Sequence, residues 1–318
     1  MSGLELRPFS EDFVGAAGEL LAARHRAHRA AEPLLPGRYE DPAVAGAEVA
    51  ELAATDGGSG AVALRDGRPV GFLLGAPRPD PVWGANAWVE LAGHAAEIPD
   101  DVRDLYGSAA ARWVEAGHTE HYTLVPAGDD GLVRAWFRIG FGQQQAYGVR
   151  EVPDTPWPDC VRQAEARDAD ALVDLTPLLP AHQAGSPVFS AGRAPGPPDE
   201  LRAEILDDIA NEEIGDLVAE RDGAVVGALQ VVPAELSGTH VGPARPDGAA
   251  LIGWAATRPE VRGGGAGLAL TEAAFAWARE RGHRVIVADW RVTNLLASRF
   301  WPRRGFRETF LRLHRHIR

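Results

Sequence analysis

The chain holds 318 residues, with 32 basic against 45 acidic side chains and a net charge of −13. That length supports two domains of ordinary size, each with its own core, and the acidic balance argues against nucleic acid as a general partner while favouring a cationic or amine one. A single cysteine, Cys160, excludes an internal disulfide and a Cys-rich metal site, so no metal is expected. Cys160 itself reads as a small buried or linker residue. The opening MSGLELRPFS has neither a basic region followed by an apolar core nor a cleavage site. No run approaches the ~18 apolar residues of a membrane span, so a cytoplasmic location with no membrane partner is expected.

One pattern is written twice along the chain. Leu4 to Arg7 reads as a strand, followed by Glu11-Asp12 and a helical run to about Ala31. Val161-Arg162, then Arg167-Asp168 and the run Ala171 to Leu175, opens the second half in the same way. Val62 to Gly67 with Val70-Gly71 reads as two strands joined by a tight Asp66-Gly67 turn, and Val218 to Gly227 repeats it with Asp222-Gly223, 156 positions later. Gly117-His118, Trp136 and Gly140-Phe141 recur 165 positions on as Gly282-His283, Trp301 and Gly305-Phe306. An insertion of about nine residues before the central strand reconciles the two offsets. The chain therefore reads as a tandem duplication: a first domain over 1–150, a stiff Pro-rich linker over 151–159, and a second domain over 160–318.

The chemistry concentrates in the second half, in the stretch Leu251 to Gly267. An apolar run to Ala256 is stopped by Arg258-Pro259, and the glycine-rich turn Arg262 to Gly267 opens onto a strong helix pattern. Glycines let backbone N–H groups at a helix start approach phosphate oxygens, and Arg262 adds a permanent planar cation. A nucleotide-hydrolase phosphate loop is excluded because no lysine or hydroxyl follows Gly267. A dinucleotide-binding turn stays as a lesser alternative, supported by the strand ending in Asp289. It is opposed by the short stretch of chain that remains and by Pro259 to Val261 standing between strand and glycines.

Arg262-Gly263-Gly264-Gly265-Ala266-Gly267 resembles the acyl-CoA signature of the GNAT superfamily of N-acetyltransferases, Gln/Arg-x-x-Gly-x-Gly/Ala. The lead-in Thr257-x-Pro259-Glu260-x-Arg262 and the downstream Asn294, Ala297, Gly305 and Phe306 fall in the same register, over the last seventy or so residues. The resemblance implies an α/β fold of two tandem GNAT-like domains, each a central, mostly antiparallel sheet flanked by helices. It implies acetyl-CoA as acyl donor and a small-molecule amine as acceptor, and a homodimer stays open. Ala255, Ala256 and Thr257 would pair with the pantetheine arm, with an N–H near Ala256 for the oxyanion. Arg262, Gly263, Gly264, Gly265, Ala266 and Gly267 would hold the pyrophosphate. Asn294 would bond the pantetheine or the amine, or cap a helix; Ser298 falls on the cofactor side of that helix, and Trp301 packs against the CoA arm or, as its repetition by Trp136 favours, in the core. Arg299, Arg303 and Arg304 make the same helix basic, toward the 3′-phosphate or toward solvent.

The chain departs from the family at the usual tyrosine acid, whose place is taken by Trp301, a side chain unable to supply a proton at neutral pH. For the base, Asp289, His240 and Glu235 are the candidates. His182, Gln183, Ser186 and Phe189, in the long Pro/Gly/Ser-rich segment Thr176 to Pro198, are candidates for acceptor contact. Carried back 165 positions, the glycine motif lands on Glu97-Ile98-Pro99-Asp100-Asp101-Val102, which has three carboxylates and no glycine. One cofactor per chain is expected, in the second half. The function expected is acetyl transfer to a small amine. The alternatives are a thiol-cofactor biosynthetic acetyltransferase, an architecture similar to that of mycothiol synthase, and a CoA-binding regulatory protein without turnover.

Overall fold

The structure, a computed structural model, describes residues 3–190 and 195–318. The first repeat runs β1 (Glu5–Pro8), α1 (Val14–Ala31), α2 (Pro42–Ala54), β2 (Ser59–Arg65), β3 (Arg68–Gly75), β4 (Asn86–Val89), β5 (His94–Ala96), α3 (Val102–Glu115), β6 (Glu120–Pro126), α4 (Asp130–Arg138) and β7 (Gly142–Glu151). The second runs β8 (Val161–Gln163), α5 (Ala169–Leu175), α6 (Leu178–Ala184), α7 (Pro198–Ala210), β9 (Gly215–Arg221), β10 (Ala224–Pro233), β11 (Ala250–Thr257), α8 (Ala266–Glu280), β12 (Val285–Arg291), α9 (Ala297–Arg303) and β13 (Arg307–His316). The duplicated hairpins form as expected. Asp66-Gly67 and Asp222-Gly223 all have positive φ, the conformation a two-residue turn needs to match strand twist.

The chain divides into two compact units whose limits differ from the expected 150/160 boundaries. The first takes the chain up to Tyr147 together with Gly242–Pro246 and Glu308–Arg318; the second takes Gly148–Val241 and Asp247–Arg307. The reason is long-range pairing. β13, last in sequence, lies antiparallel to β6, from Phe310 opposite Pro126 to His316 opposite Glu120. Thr309 Oγ1 also donates to the Tyr147 carbonyl (3.2 Å).

In the first unit, β1, β2, β3 and β5 form an antiparallel sheet, while β4 runs parallel to β6. Asp41 caps α2 by accepting from Ala43 N–H, with Pro42 at the first helical position. The packing of α1 and α2 over Phe72 and Leu74 makes one core cluster. In the second unit the strand order is β12-β11-β10-β9-β8. α5 and α7 cover one face through Leu172, Leu175, Leu201 and Ile205, against Val218 and Ala228. Gly215 meets Trp277 of α8, at a position where any Cβ would stand 2.6 Å from the indole nitrogen.

The segment Thr176 to Pro198 is not a plain loop: it contains α6. Its residues 191–194 lie outside those described.

Candidate functional site

In the second unit two neighbouring strands part. β11 pairs in parallel with β12 only from Ala250–Ile286 to Ile252–Ala288, although the strands continue to Thr257 and Arg291. Gly253 stands at the parting. It also falls in the register shift between β10 and β11, where Gln230 faces Trp254 and Val231 faces Ile252, so it has no partner in either ladder. Ala255, Ala256 and Thr257 remain paired with Leu229, Ala228 and Gly227 of β10. On the other side the edge of β11 faces no strand among the described residues, and every residue from Gly253 to Thr257 is at least partly exposed. Because backbone groups in a strand alternate between its two edges, half of this run offers N–H and C=O groups to the gap.

That groove ends in the glycine turn. Gly263 and Gly265 have φ of 78° and 91°, left-handed values that suit glycine. A Cβ on either would meet no atom within 4 Å, so the surface there is open. Gly265 is the N-cap of α8 and offers no side-chain cap, leaving the first-turn N–H groups of the helix for an anion. Two cradle groups are already used: Arg262 N–H bonds the Pro259 carbonyl (3.3 Å) and Gly264 N–H the Val261 carbonyl (3.1 Å). The Arg262 side chain is exposed. Arg221, at the end of β9, lies outside the glycine motif; its Nη2 donates to the Gly264 carbonyl (2.8 Å), setting a second guanidinium beside the loop. The Phe300 ring flanks the helix start, 3.9 Å from a Cβ placed on Gly267.

Asn294 is 4% exposed. Its Oδ1 accepts from Leu296 N–H (3.1 Å) and Ala297 N–H (3.2 Å), and from His182 Nε2 (3.2 Å). An oxygen already taken by two N–H groups makes the imidazole nitrogen the donor. Asn294 Oδ1 thus fixes the turn that leads into α9, and its NH2 makes no hydrogen bond among the described residues. Ser298 lies one turn on, its N–H bonded to the Asn294 carbonyl (2.8 Å). Trp301 is buried, edge-on to Phe300 and Phe306 at ring distances of 5.0 and 5.5 Å, which makes it a core side chain. Arg299 and Arg303 are exposed; the Arg304 guanidinium lies over Phe300.

Of the three proposed bases, two come together. Asp289 follows Ala288, the last residue of β12 paired with β11, and so stands at the parting opposite Gly253. His240 is buried; that burial, opposed by the Asp289 carboxylate, lowers its pKa below the ordinary 6.5, so the ring is neutral at pH 7. Glu235 lies exposed in the turn Ala234–Leu236 and makes no side-chain hydrogen bond or ion pair among the described residues. Phe189 is 75% exposed, with its carbonyl neighbour Val188 bonded by Thr293 Oγ1 (3.4 Å).

The equivalent place in the first unit is built differently. Its central strand is split into β4, which joins β6, and β5, which joins β3. Arg24 of α1 donates to the carbonyls of Leu91 and His94 at the split, and buried His94 donates from Nε2 to the Leu124 carbonyl of β6 (2.9 Å). Burial drives the His94 pKa down to about 3, so it fills the gap as a neutral ring. The carboxylates before α3 are paired: Asp101 with Arg65 (2.7 Å), Glu97 with Arg68, and Asp100 with Arg103 and Arg138. Arg65 is the counterpart of Arg221 at the 156-residue offset. One neutralises an acid; the other meets a glycine carbonyl. A cavity of about 420 Å³ lies beside this split, lined by Arg24, His28, Glu97, Asp129 and Asp130.

Residues 182–306 match the model of the acetyltransferase (GNAT) family. The fold of the whole chain is that of tandem GNAT proteins. A GCN5-related N-acetyltransferase from Sphaerobacter thermophilus superposes with a TM-score of 0.59 at 16% identity, over 99% of this chain and 96% of that one. A tandem GNAT protein from the clavulanic acid biosynthesis pathway gives 0.50 at 16% identity, over 99% and 98%. The glucosamine N-acetyltransferase region of a fungal multi-domain β-N-acetylglucosaminidase gives 0.53 at 15% identity, over 99% of this chain and 38% of that one. A sequence search of curated proteins gave no match. No helix among the described residues is long and apolar enough to cross a membrane.

Proposed function

We propose that the second unit is an acetyl-CoA-dependent N-acetyltransferase acting on a small-molecule amine, with one active site per chain. The observation that carries this reading is the parting of β11 from β12 at Gly253, an open strand edge that leads into a glycine turn of free helix-start N–H groups. An extended polar arm ending in a diphosphate fits that shape. Ala255, Ala256 and Thr257 pair with the pantetheine. Arg262, Arg221, Gly263 and the residues from Gly265 to Gly267 hold the pyrophosphate, and the Asn294 amide and Ser298 flank the arm.

In this reading the thioester carbonyl lies at the parting, with its oxygen toward a backbone N–H of the Gly253–Ala256 run, a fixed donor where negative charge develops. The acceptor amine loses a proton to Asp289, coupled to neutral His240, and attacks the carbonyl carbon. The C–S bond then breaks and the thiolate leaves. With a thiol pKa near ~8.5 the thiolate takes its proton from water or from the new ammonium, consistent with Trp301 being packed in the core.

Calorimetry with coenzyme A on the full chain is expected to give one site, lost in an Arg262→Ala, Gly265→Ala double variant. Two equivalent sites, or full affinity in the variant, would sink the proposal. Thiol release from acetyl-CoA over an amine panel then separates an enzyme from a CoA-binding regulator. The identity of the accepted amine separates a general acceptor from a thiol-cofactor precursor of the mycothiol kind. The chain contains no lysine, so its own side chains do not compete as acceptors.

A further inference from the structure

Three polar side chains meet on the α5/α7 face of the second unit. Register sets Asp216 of β9, Gln230 of β10 and Trp254 of β11 side by side, and Asp208 reaches them from α7. Gln230 Nε2 donates to Asp208 Oδ2 (3.0 Å) and to Asp216 Oδ1 (3.1 Å). Both amide protons are committed to carboxylates, which can only accept, so the amide is fixed one way round and Oε1 has to point away from them. It points over Gly253, 3.3 Å from where a Cβ would stand; the missing side chain leaves that oxygen open at the parting of β11 and β12.

The charge here is unbalanced. Asp216 is 5% exposed, and its Oδ2 has no hydrogen-bond partner among the described residues. Neither Asp208 nor Asp216 forms an ion pair with an arginine or histidine there. A buried and a half-buried carboxylate around one neutral amide are costly until a cation joins them. Burial raises both carboxyl groups, Asp216 to about 6. Asp208 and Gln230 remain partly exposed and so within reach of a ligand.

We propose that Gln230 Oε1 and Asp208, backed by Asp216, hold a protonated amine of the acceptor, and that this amine anchors the substrate while a second amine reacts. An amine beside carboxylates is stabilised in its charged form, so its lone pair is withheld from attack. The anchoring oxygen stands beside Gly253, where the thioester carbonyl is placed, so a short spacer joins the two nitrogens. The acceptor is therefore a diamine or polyamine, for which 1,4-diaminobutane serves as the probe. This inference rests on the acetyl-transfer reading for the fate of the second amine, but the anchor can be measured without turnover.

The test titrates 1,4-diaminobutane and butylamine into the full chain by calorimetry, with and without saturating coenzyme A. Wild type is expected to bind the diamine at least about tenfold more tightly than the monoamine. Asp208→Asn and Gln230→Leu are each expected to weaken the diamine by about tenfold or more while coenzyme A affinity, measured on the same samples, is retained. Equal affinity for the two amines, absence of diamine binding, or unchanged binding in both variants overturns the proposal. Loss of coenzyme A binding by wild type would instead strike the cofactor reading. Retained coenzyme A binding and helical content in Asp208→Asn guard against misfolding of the leucine variant.

Discussion

Replacing Asp216 with Asn removes the ionisation of a buried carboxyl while keeping an oxygen for Gln230. In the folded chain burial and the Asp208 charge raise the Asp216 pKa from 3.8 to about 6. Below pH 4 both folded and unfolded chains hold the proton. Between pH 4 and 6 the unfolded chain has released it and the folded chain has not, so the folded state binds more protons and loses stability as pH rises. Above pH 6 both are ionised and the loss levels off. At about 1.4 kcal/mol per unit, the interval from 3.8 to about 6 corresponds to about 3 kcal/mol. Urea unfolding of wild type and Asp216→Asn at pH 4 and pH 8 measures it. The stability difference between the proteins should move by about 3 kcal/mol in the variant's favour at pH 8, and any constant cost of the new NH2 cancels in that comparison. A difference that stays flat across the range would refute the assignment of an uncompensated buried charge.

Further outcomes follow from the same structure. Arg221→Ala and Arg262→Ala should each weaken coenzyme A by about tenfold at low salt and by less at high salt, measured by calorimetry at two ionic strengths; salt-independent affinity would remove them from the phosphate site. Gly265→Ala should cost about 1–2 kcal/mol from its left-handed φ alone, read as a small fall in melting temperature, since its Cβ has open space. Trp301→Ala should lose about 3–5 kcal/mol of stability in urea and leave the alkaline limb of the pH–rate profile where it was, because the indole donates no proton. Arg24→Ala strips the Leu91 and His94 carbonyls of their buried donor and should destabilise the first unit by about 2 kcal/mol or more in the same assay without changing coenzyme A affinity.

The parts of the fold legible from sequence are those encoded locally. The Asp-Gly hairpins, the glycine turn opening α8 and the helix following Glu11-Asp12 each rest on residues a few positions apart, and each formed. The pairing of β13 with β6 escaped reading because Phe310 and Pro126 are far apart in sequence and nothing local names a strand's partner. At the site, Arg262 to Gly267 and Asn294 were readable as a motif, and Asp289 as an acid near the end of a strand, which runs on to Arg291. Arg221 was not, although its signal was present: the hairpin that carries it repeats Arg65 of the first half. The trio of Asp208, Asp216 and Gln230 is assembled from a helix and two strands, and each member alone looks like an ordinary polar residue. Glu235 looked equivalent to His240 by position in the same connection, but only burial distinguishes them, and burial depends on how that connection folds back.

The placement of β13 has a bearing on how the protein is made. A ribosome delivers β6 long before residues 307–316 emerge, and at about 5–20 residues per second the wait is on the order of ten to forty seconds. Throughout that interval the nascent first unit presents a naked strand edge to its surroundings. A premature stop near Phe306 would accordingly spare the glycine motif yet leave the opposite, earlier-made unit unfinished, and cutting the gene at its apparent midpoint would orphan both products.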